Sequence, residues 1–190
     1  MENFTVGIIS YLMGSIPFGF ILTKIFLKKD IRDLGSGNIG ATNALRAGNK
    51  VLGYATLILD ISKAIIPVIY TKIHFPELIF VASLCAFLGH VFPIWLKFKG
   101  GKGIATSLGV ILSIDFFIGL CLLTIWILVY LIFKISSLSA LISSTSFPIL
   151  IFFKYEKVNL LYLSILLTIF VFFTHRANII RLLKKEEKKI

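Results

Sequence analysis

Long apolar stretches dominate the chain, and short polar segments separate them. Stretches that contain no Asp, Glu, Lys or Arg cover residues 3–23, 78–96, 135–153 and 158–175. Each is close to the roughly 20 apolar residues with which an α-helix crosses a hydrocarbon core of about 30 Å. The pattern therefore predicts an all-α, polytopic integral membrane protein.

Two further apolar segments differ from these, because each contains at least one charged residue and one is unusually long. Residues 51–71 carry only Asp60 and Lys63 as charges, and their spacing of three places both on one helix face, which we expect to point into the bundle. Residues 103–133 would form a helix about 46 Å long, which is too long for one upright span and short for two. Asp115, near the middle of this segment, predicts a hairpin of two short helices.

The positions of Lys and Arg decide between six and seven spans, because these residues concentrate in cytoplasmic loops. With the hairpin, sixteen of the 20 lie on one side, three lie on the other, and Lys63 lies within a span. With a single span over residues 103–133, the division becomes eleven against eight. We therefore predict one domain, residues 1–190, with seven transmembrane helices in one bundle, the N-terminus outside and the C-terminus in the cytoplasm.

Composition agrees with a membrane protein, because 57% of the residues are hydrophobic and the mean hydropathy is +0.95. The net charge of +11 is explained by cytoplasmic basic loops and by attraction to anionic lipids, and this explanation is favoured over binding of nucleic acid. Membrane lipids are therefore expected partners, and nucleic acid is not.

The first unusual polar segment is LGSGNIGATNALR, residues 34–46. Glycines allow the backbone to present N–H groups closely to an anion, and hydroxyl, amide and guanidinium groups add further donors. A plain loop of turn-forming residues is the alternative, although the segment is longer and richer in donors than a turn needs. The predicted substrate-binding residues here are Ser36, Gly37, Asn38, Gly40, Thr42, Asn43 and Arg46.

The second segment is GHVFPIWLKFKGGKGIAT, residues 89–106, in which glycines surround Lys102 just before a predicted helix. A helix N-terminus preceded by glycines is a natural anion site. The segment is not a Walker A loop, because Gly103 stands where that motif has Ser or Thr. His90 is either a packed, hydrogen-bonded residue or a ligand. The predicted substrate-binding residues are His90, Gly100, Gly101, Lys102, Gly103 and Thr106.

The third segment is HRANIIRLLKKEEKKI, residues 175–190. His175, Asn178 and Arg181 share one face of a continuing helix, whereas the charges of residues 184–189 are expected to lie among lipid head groups. At the membrane edge, the His175 imidazole could act in acid–base chemistry or donate to a phosphate. Seven spans place all three segments on the cytoplasmic side, which predicts a pocket for a small phosphorylated molecule beside acyl chains.

These motifs resemble a known family. SGNIGATN (36–43), GHVFPIWLKFKGGKGIAT (89–106), HRANIIRL (175–182) and GSIPFGFILTK (14–24) are similar to the motifs of the membrane-bound, acyl-phosphate-dependent glycerol-3-phosphate acyltransferases of bacteria, the PlsY family. The similarity runs essentially end to end. The chain departs from the family at Lys185 and at Ala64, where glycine is usual.

The resemblance implies a single-chain, seven-helix enzyme that transfers an acyl group from acyl phosphate to the 1-hydroxyl of glycerol 3-phosphate. Its products would be lysophosphatidic acid and phosphate, at the start of phospholipid biosynthesis. It further implies a cofactor-free, metal-free monomer in the bacterial inner membrane with a cytoplasmic active site. Ser36 matches a phosphate-binding position, and the implied catalytic residues are Arg46, Lys102, His175 and Asn178.

The residues are consistent with this chemistry. Two phosphorylated substrates must be brought together, which accounts for several cations on one face, and acyl phosphate is already activated, so positioning and charge stabilisation can supply much of the catalysis. Direct attack by the glycerol hydroxyl would pass its proton either to His175 or to a substrate phosphate. The alternatives are a phosphate or organophosphate transporter, suggested by the intramembrane Asp60 and Lys63, and then a lipid-binding protein.

Overall fold

The computed structural model describes residues 2–47, 49–155 and 158–189, and the regular structure within these ranges is helical. Short 3₁₀ turns cover Ile31–Asp33, Pro76–Leu78 and Ile94–Leu96. The α-helices are α1 (Glu2–Ser15), α2 (Phe18–Phe26), α3 (Ala41–Arg46), α4 (Lys50–His74), α5 (Ile79–Val91), α6 (Ile104–Ile114), α7 (Phe116–Phe133), α8 (Ser136–Lys154), α9 (Val158–Thr174) and α10 (Arg176–Leu183).

Five of the described segments are long and apolar enough to cross a membrane, and a sixth is obtained if α9 and α10, bent by 63°, count as one span. Large side chains such as Phe4 and Phe153 are exposed on the outside of these helices, as in a bundle whose solvent is lipid. The prediction of an all-helical membrane protein is confirmed.

The predicted break in residues 103–133 is observed at Asp115, but the two helices are unequal. The 11 residues of α6 are too few to cross a membrane upright, whereas the 18 residues of α7 are sufficient. Asp115 ends α6 and caps α7, because its side chain accepts a hydrogen bond of 2.9 Å from the N–H of Ile118. The cap fixes where the chain turns.

The first predicted span is not one continuous helix. The chain leaves helical geometry between α1 and α2, at Ile16 and Pro17, because Pro17 has no N–H to continue the hydrogen-bond ladder. The Trp95 indole donates to the Ser15 hydroxyl at 2.8 Å and so ties this break to the turn after α5. The predicted span over residues 3–23 lies within one segment, Glu2–Phe26, that is long and apolar enough to cross a membrane, and the interruption lies inside it.

The bundle interior is mainly apolar and lies between helices that pack in pairs. α1 packs on α5, α4 on α6, α7 on α8 and α8 on α9. Phe87, Val68 and Leu163 are fully buried in the resulting core. Asp60 and Lys63 also lie inside, 2% and 3% exposed, with the Lys63 ammonium 2.8 Å from the Asp60 carboxylate. Their predicted inward orientation is confirmed.

Candidate active site

Two of the three polar segments meet directly at one end of the bundle. The Lys102 ammonium donates to the side-chain oxygen of Asn178 at 2.5 Å, so the glycine loop before α6 touches α10. The Thr174 hydroxyl at the end of α9 donates to the backbone carbonyl of Lys102 at 3.1 Å. The 63° bend between α9 and α10 therefore turns the third segment onto the Lys102 loop.

His175 lies at that bend and is only 2% exposed. Its Nδ1 lies 2.8 Å from the Val171 carbonyl. A carbonyl oxygen can only accept, so Nδ1 carries the proton and donates it, and the neutral ring keeps its lone pair on Nε2. The fold thus fixes both the tautomer and the orientation of the imidazole, beside the Lys102 ammonium.

Glu187, in the tail after α10, joins the site and was not predicted from the sequence. One carboxylate oxygen accepts from the Asn178 amide at 2.6 Å and from the Ser137 hydroxyl at 2.9 Å. The other oxygen accepts from the Arg181 guanidinium at 2.6 Å. Burial alone would raise the pKa of the Glu187 carboxyl, but these hydrogen bonds outweigh burial and hold its pKa below the usual range.

The turn that brings Glu187 back is a helix C-cap. The N–H of Lys185 donates to the Leu182 carbonyl at 3.1 Å, and that of Glu186 donates to the Arg181 carbonyl at 2.8 Å, which is the Schellman pattern. Lys185 occupies the left-handed position of this motif, with φ of 58°. Glycine is favoured at such a position because it has no Cβ.

The Lys102 ammonium lies among charges. The pKa of Lys102 is lowered to about 8, mainly by burial; Glu187 opposes the shift, and Arg181 and Arg46 contribute to it. Three cations and one carboxylate therefore share this region, and an added anion would relieve the repulsion among the cations. The electrostatics favour a phosphorylated ligand.

The first segment is shaped by Asn43, which is buried at the start of α3. Its side-chain oxygen accepts from the Ser36 N–H at 2.7 Å, and its amide donates to the carbonyls of Ile31, Leu34 and Asn38 at 3.0, 2.9 and 2.8 Å. The amide thus closes residues 31–43 around one side chain. The Ser36 hydroxyl stays on the exposed face of that loop.

The first segment, residues 34–46, contacts α8 and the tail after α10, which is part of the third segment. The Thr42 hydroxyl lies 3.3 Å from the Ser136 hydroxyl, and the next residue, Ser137, contacts Glu187. The Arg46 guanidinium donates to the Lys188 carbonyl at 3.3 Å.

Two glycines of the first segment were predicted to present backbone N–H groups to a phosphate. Gly37 has φ of 72°, and the N–H of Gly40 donates to the Asn38 side chain at 3.1 Å.

The glycine loop is held by the end of α5. The N–H groups of Gly101 and Gly100 donate to the carbonyls of His90 and Val91 at 3.0 and 3.1 Å. A Cβ on Gly101 would lie 2.0 Å from the His90 ring, so only glycine allows this approach. Gly103 caps α6 with φ of 86° and packs against the Phe87 ring.

Two predicted ligands lie behind that loop. His90 is 3% exposed and its Nδ1 is 3.7 Å from an Asp60 oxygen, so its ring faces the bundle interior and Gly101. Thr106 is fully buried in the first turn of α6. The structure thus brings Lys102, His175, Asn178 and Arg46 near one another, whereas His90 and Thr106 are buried behind the glycine loop.

Comparison with known proteins shows the family of this chain. A family model described as glycerol-3-phosphate acyltransferase matches residues 4–185. The chain belongs to the glycerol-3-phosphate acyltransferase family. It is 60% identical to the glycerol-3-phosphate acyltransferase of Pelagibacter ubique, with 100% of this chain and 98% of that protein covered. It is 46% identical to the enzyme of Bartonella henselae, with 97% and 90% covered.

Two crystal structures share the fold. Both are of PlsY, an integral membrane glycerol 3-phosphate acyltransferase, one in its glycerol 3-phosphate form and one in its lysophosphatidic acid form. Each is 33% identical to this chain, covers 100% of it, and has 96% of its own length covered, with TM-scores of 0.96 and 0.93. The family is therefore PlsY, and the chain is an acyltransferase; family membership excludes the transporter alternative.

Proposed function

We propose that this acyltransferase takes its acyl group from acyl phosphate and transfers it to the 1-hydroxyl of glycerol 3-phosphate, giving lysophosphatidic acid and inorganic phosphate. The observation that carries the proposal is the meeting of Lys102, Asn178 and His175 beside Arg46 and Arg181. A site with these cations and donors suits two phosphorylated substrates. PlsY has been solved in a glycerol 3-phosphate form and in a lysophosphatidic acid form. These two molecules are the acceptor substrate and the acylated product of the proposed reaction.

The phosphate groups would be bound by the residues that surround the Lys102 ammonium. Lys102 acts as a point charge, Arg46 as a two-pronged donor, and Asn178 as a neutral donor that also orients Lys102. The Glu187 carboxylate already lies on the Asn178 and Arg181 donors, which supports the capacity of this region to stabilise oxyanions. Neighbouring groups proposed to complete the pocket are Ser36, Gly37, Asn38, Gly40, Thr42, Gly103 and His175. The other predicted residues lie behind the loops or hold them in place from inside the protein: Asn43, His90, Gly100, Gly101 and Thr106.

The proposed chemistry is one displacement. The glycerol 1-hydroxyl oxygen attacks the acyl carbon, the bond between that carbon and the phosphate oxygen breaks, and the electron pair leaves with the phosphate. The chain's cations stabilise the charge that develops on the departing phosphate, and binding aligns the two reactants. The activated donor makes a covalent enzyme intermediate unnecessary.

The hydroxyl proton passes to a substrate phosphate in this proposal. The second phosphate pKa of about 6 makes the dianion a competent acceptor near neutral pH. Burial of the imidazole disfavours a positive charge on His175, and the neighbouring Lys102 ammonium disfavours it too. We therefore assign to the His175 Nε2 lone pair a role in orienting the attacking hydroxyl.

We further propose that residues 1–190 form one monomeric domain of seven helices in the bacterial inner membrane, with the N-terminus outside and the site on the cytoplasmic side. The division of Lys and Arg between the two sides supports this orientation. The 11-residue α6 would then be a short seventh helix that places the glycine loop near the membrane surface.

The donor assignment is tested with the purified chain in detergent. We expect a long-chain acyl phosphate and labelled glycerol 3-phosphate to give lysophosphatidic acid and inorganic phosphate in equal amounts. Acyl-CoA is the control donor and glycerol the control acceptor, and neither should give acylated product. Acylation from acyl-CoA but not from acyl phosphate, or release of phosphate without acylated product, would contradict the proposal.

A further inference from the structure

A charged cluster inside the bundle lies behind the candidate site and contacts its glycine loop through His90. Asp60 and Lys63 on α4 and His90 on α5 are all at most 3% exposed. One Asp60 oxygen lies 2.8 Å from the Lys63 ammonium and 3.7 Å from His90 Nδ1. Buried charges are costly in a membrane, and replacing such a pair by apolar residues is often neutral or stabilising. Stability alone is thus a weak reason for this cluster.

Lys63, at one end of the cluster, is hydrogen-bonded to the backbone where the first span is interrupted. The Lys63 ammonium donates to the Ile16 carbonyl at 2.7 Å. Ile16 lies between α1 and α2, where the regular helical hydrogen bonds stop, and its carbonyl accepts from the Phe18 N–H at 3.1 Å as well as from Lys63. Lys63 therefore joins α4 to the break before α2.

The other end holds the glycine loop. The His90 carbonyl accepts from the Gly101 N–H at 3.0 Å, and the His90 ring lies so close to Gly101 that a Cβ there would approach Nε2 to 2.0 Å. Asp60 faces the opposite nitrogen of the same ring. Lys102 follows Gly101 directly and reaches Asn178 at 2.5 Å, so a movement of the His90 ring that displaced Gly101 would also displace Lys102.

We propose that Asp60, Lys63 and His90 form a positioning network for the acyltransferase reaction: they set the Gly100–Gly103 loop so that the Lys102 ammonium meets the phosphate of glycerol 3-phosphate. None of the three is a catalytic residue, and they act through the loop. The inference rests on the proposed function, because it gives the network a role only if Lys102 binds a substrate phosphate.

The test compares Asp60→Asn with the double variant Asp60→Asn/Lys63→Met. The single variant leaves a buried ammonium without its counter-charge and should lose thermal stability. The double variant removes both charges at similar volume and should recover stability. Its KM for glycerol 3-phosphate should stay raised by roughly tenfold or more, since a misplacement of about 1 Å can cost up to about 10²-fold.

The matched control is Asp115→Asn, which makes the same change in the Asp115–Lys154 ion pair, away from the glycine loop. It should lower stability and leave this KM unchanged. A second readout is the pH at which KM rises as Lys102 loses its proton. A loosened loop hydrates Lys102 better, so the midpoint should move upward in the double variant, an effect that a merely structural role would not produce.

The outcomes separate the two proposals. A stable double variant with wild-type KM and wild-type pH midpoint overturns the positioning network while the proposed function stands. A wild-type chain that does not acylate glycerol 3-phosphate overturns the proposed function, is seen before any variant is compared, and the positioning network falls with it.

Discussion

At the scale of single residues, the site depends on environments that neighbouring side chains create. Lysine is usually a surface residue, but Lys102 is partly buried. Its pKa is lowered to about 8, mainly by burial and also by Arg181 and Arg46. His175 has its tautomer fixed by one backbone carbonyl, that of Val171. These two features make separate predictions about pH and about the proton acceptor.

The pH dependence follows from Lys102. Because its pKa is lowered to about 8, the ammonium is charged at pH 7 and loses its proton as the pH rises through about 8. We expect the KM for glycerol 3-phosphate to rise above about pH 8, while the substrate phosphate remains a dianion. Lys102→Arg, which stays charged, should abolish this rise. A wild-type KM that is flat to about pH 9.5 would contradict the assignment.

The role of His175 is tested by His175→Gln. If a substrate phosphate accepts the proton, kcat at saturating glycerol 3-phosphate should fall by less than the roughly 10²–10⁴-fold that loss of a general base costs, and KM should rise because the hydroxyl is less well oriented. Steady-state kinetics on the folded variant decide the matter. A loss of kcat within the general-base range at unchanged KM would assign the proton to His175 instead.

At the scale of elements, two short backbone segments place the site. The glycine loop before α6 packs closely against His90 through Gly101. The C-cap of α10 turns the chain so that Glu187 accepts a hydrogen bond from Asn178. Both depend on positions where a Cβ is costly, which makes them testable by adding or removing one carbon.

Gly101→Ala should displace the loop. A Cβ there would lie 2.0 Å from the His90 ring, which is buried and cannot withdraw easily. We expect a KM for glycerol 3-phosphate raised by roughly tenfold or more, since Lys102 moves with the loop. Gly7→Ala, whose added carbon meets ordinary contacts at 3.5 Å, is the matched control and should behave like the wild type. Equal kinetics for Gly101→Ala and the wild type would refute the argument.

Lys185→Gly should stabilise the tail. Lys185 has φ of 58°, which is unfavourable for a side chain with a Cβ, and glycine loses part of the gain through greater freedom when unfolded. The expected gain in the free energy of unfolding is roughly 0.5–1 kcal/mol, measured by denaturation in detergent. Lys184→Gly, at φ of −81°, is the control and should give no gain. The prediction is wrong if both variants shift equally.

At the scale of the whole molecule, the sequence predicted what depends on hydrophobicity and spacing. The membrane class, the break at Asp115 and the inward orientation of Asp60 and Lys63 all follow from where charges interrupt apolar stretches. The interruption at Pro17 also has a sequence signal, because proline has no N–H for the helical hydrogen-bond ladder. The interruption lies within a segment, Glu2–Phe26, that is long and apolar enough to be one span.

Glu187 could not be found in this way. Its neighbours in sequence are mostly charged, so residues 184–189 have the composition of a solvated or lipid-facing tail. Its role arises from a left-handed turn at Lys185, and a lysine there gives no sign of that turn. Contacts of this kind depend on tertiary geometry, which apolar periodicity does not encode.

The central claim is that the end of the bundle around Lys102 binds a substrate phosphate, and one pair of variants tests it most directly. Lys102→Met and Lys99→Met make the same change in one loop, at a site lysine and at an exposed lysine. We predict that kcat/KM for glycerol 3-phosphate falls about 10²–10³-fold in Lys102→Met and changes by less than about threefold in Lys99→Met. Near-normal kcat/KM in folded Lys102→Met would contradict the account.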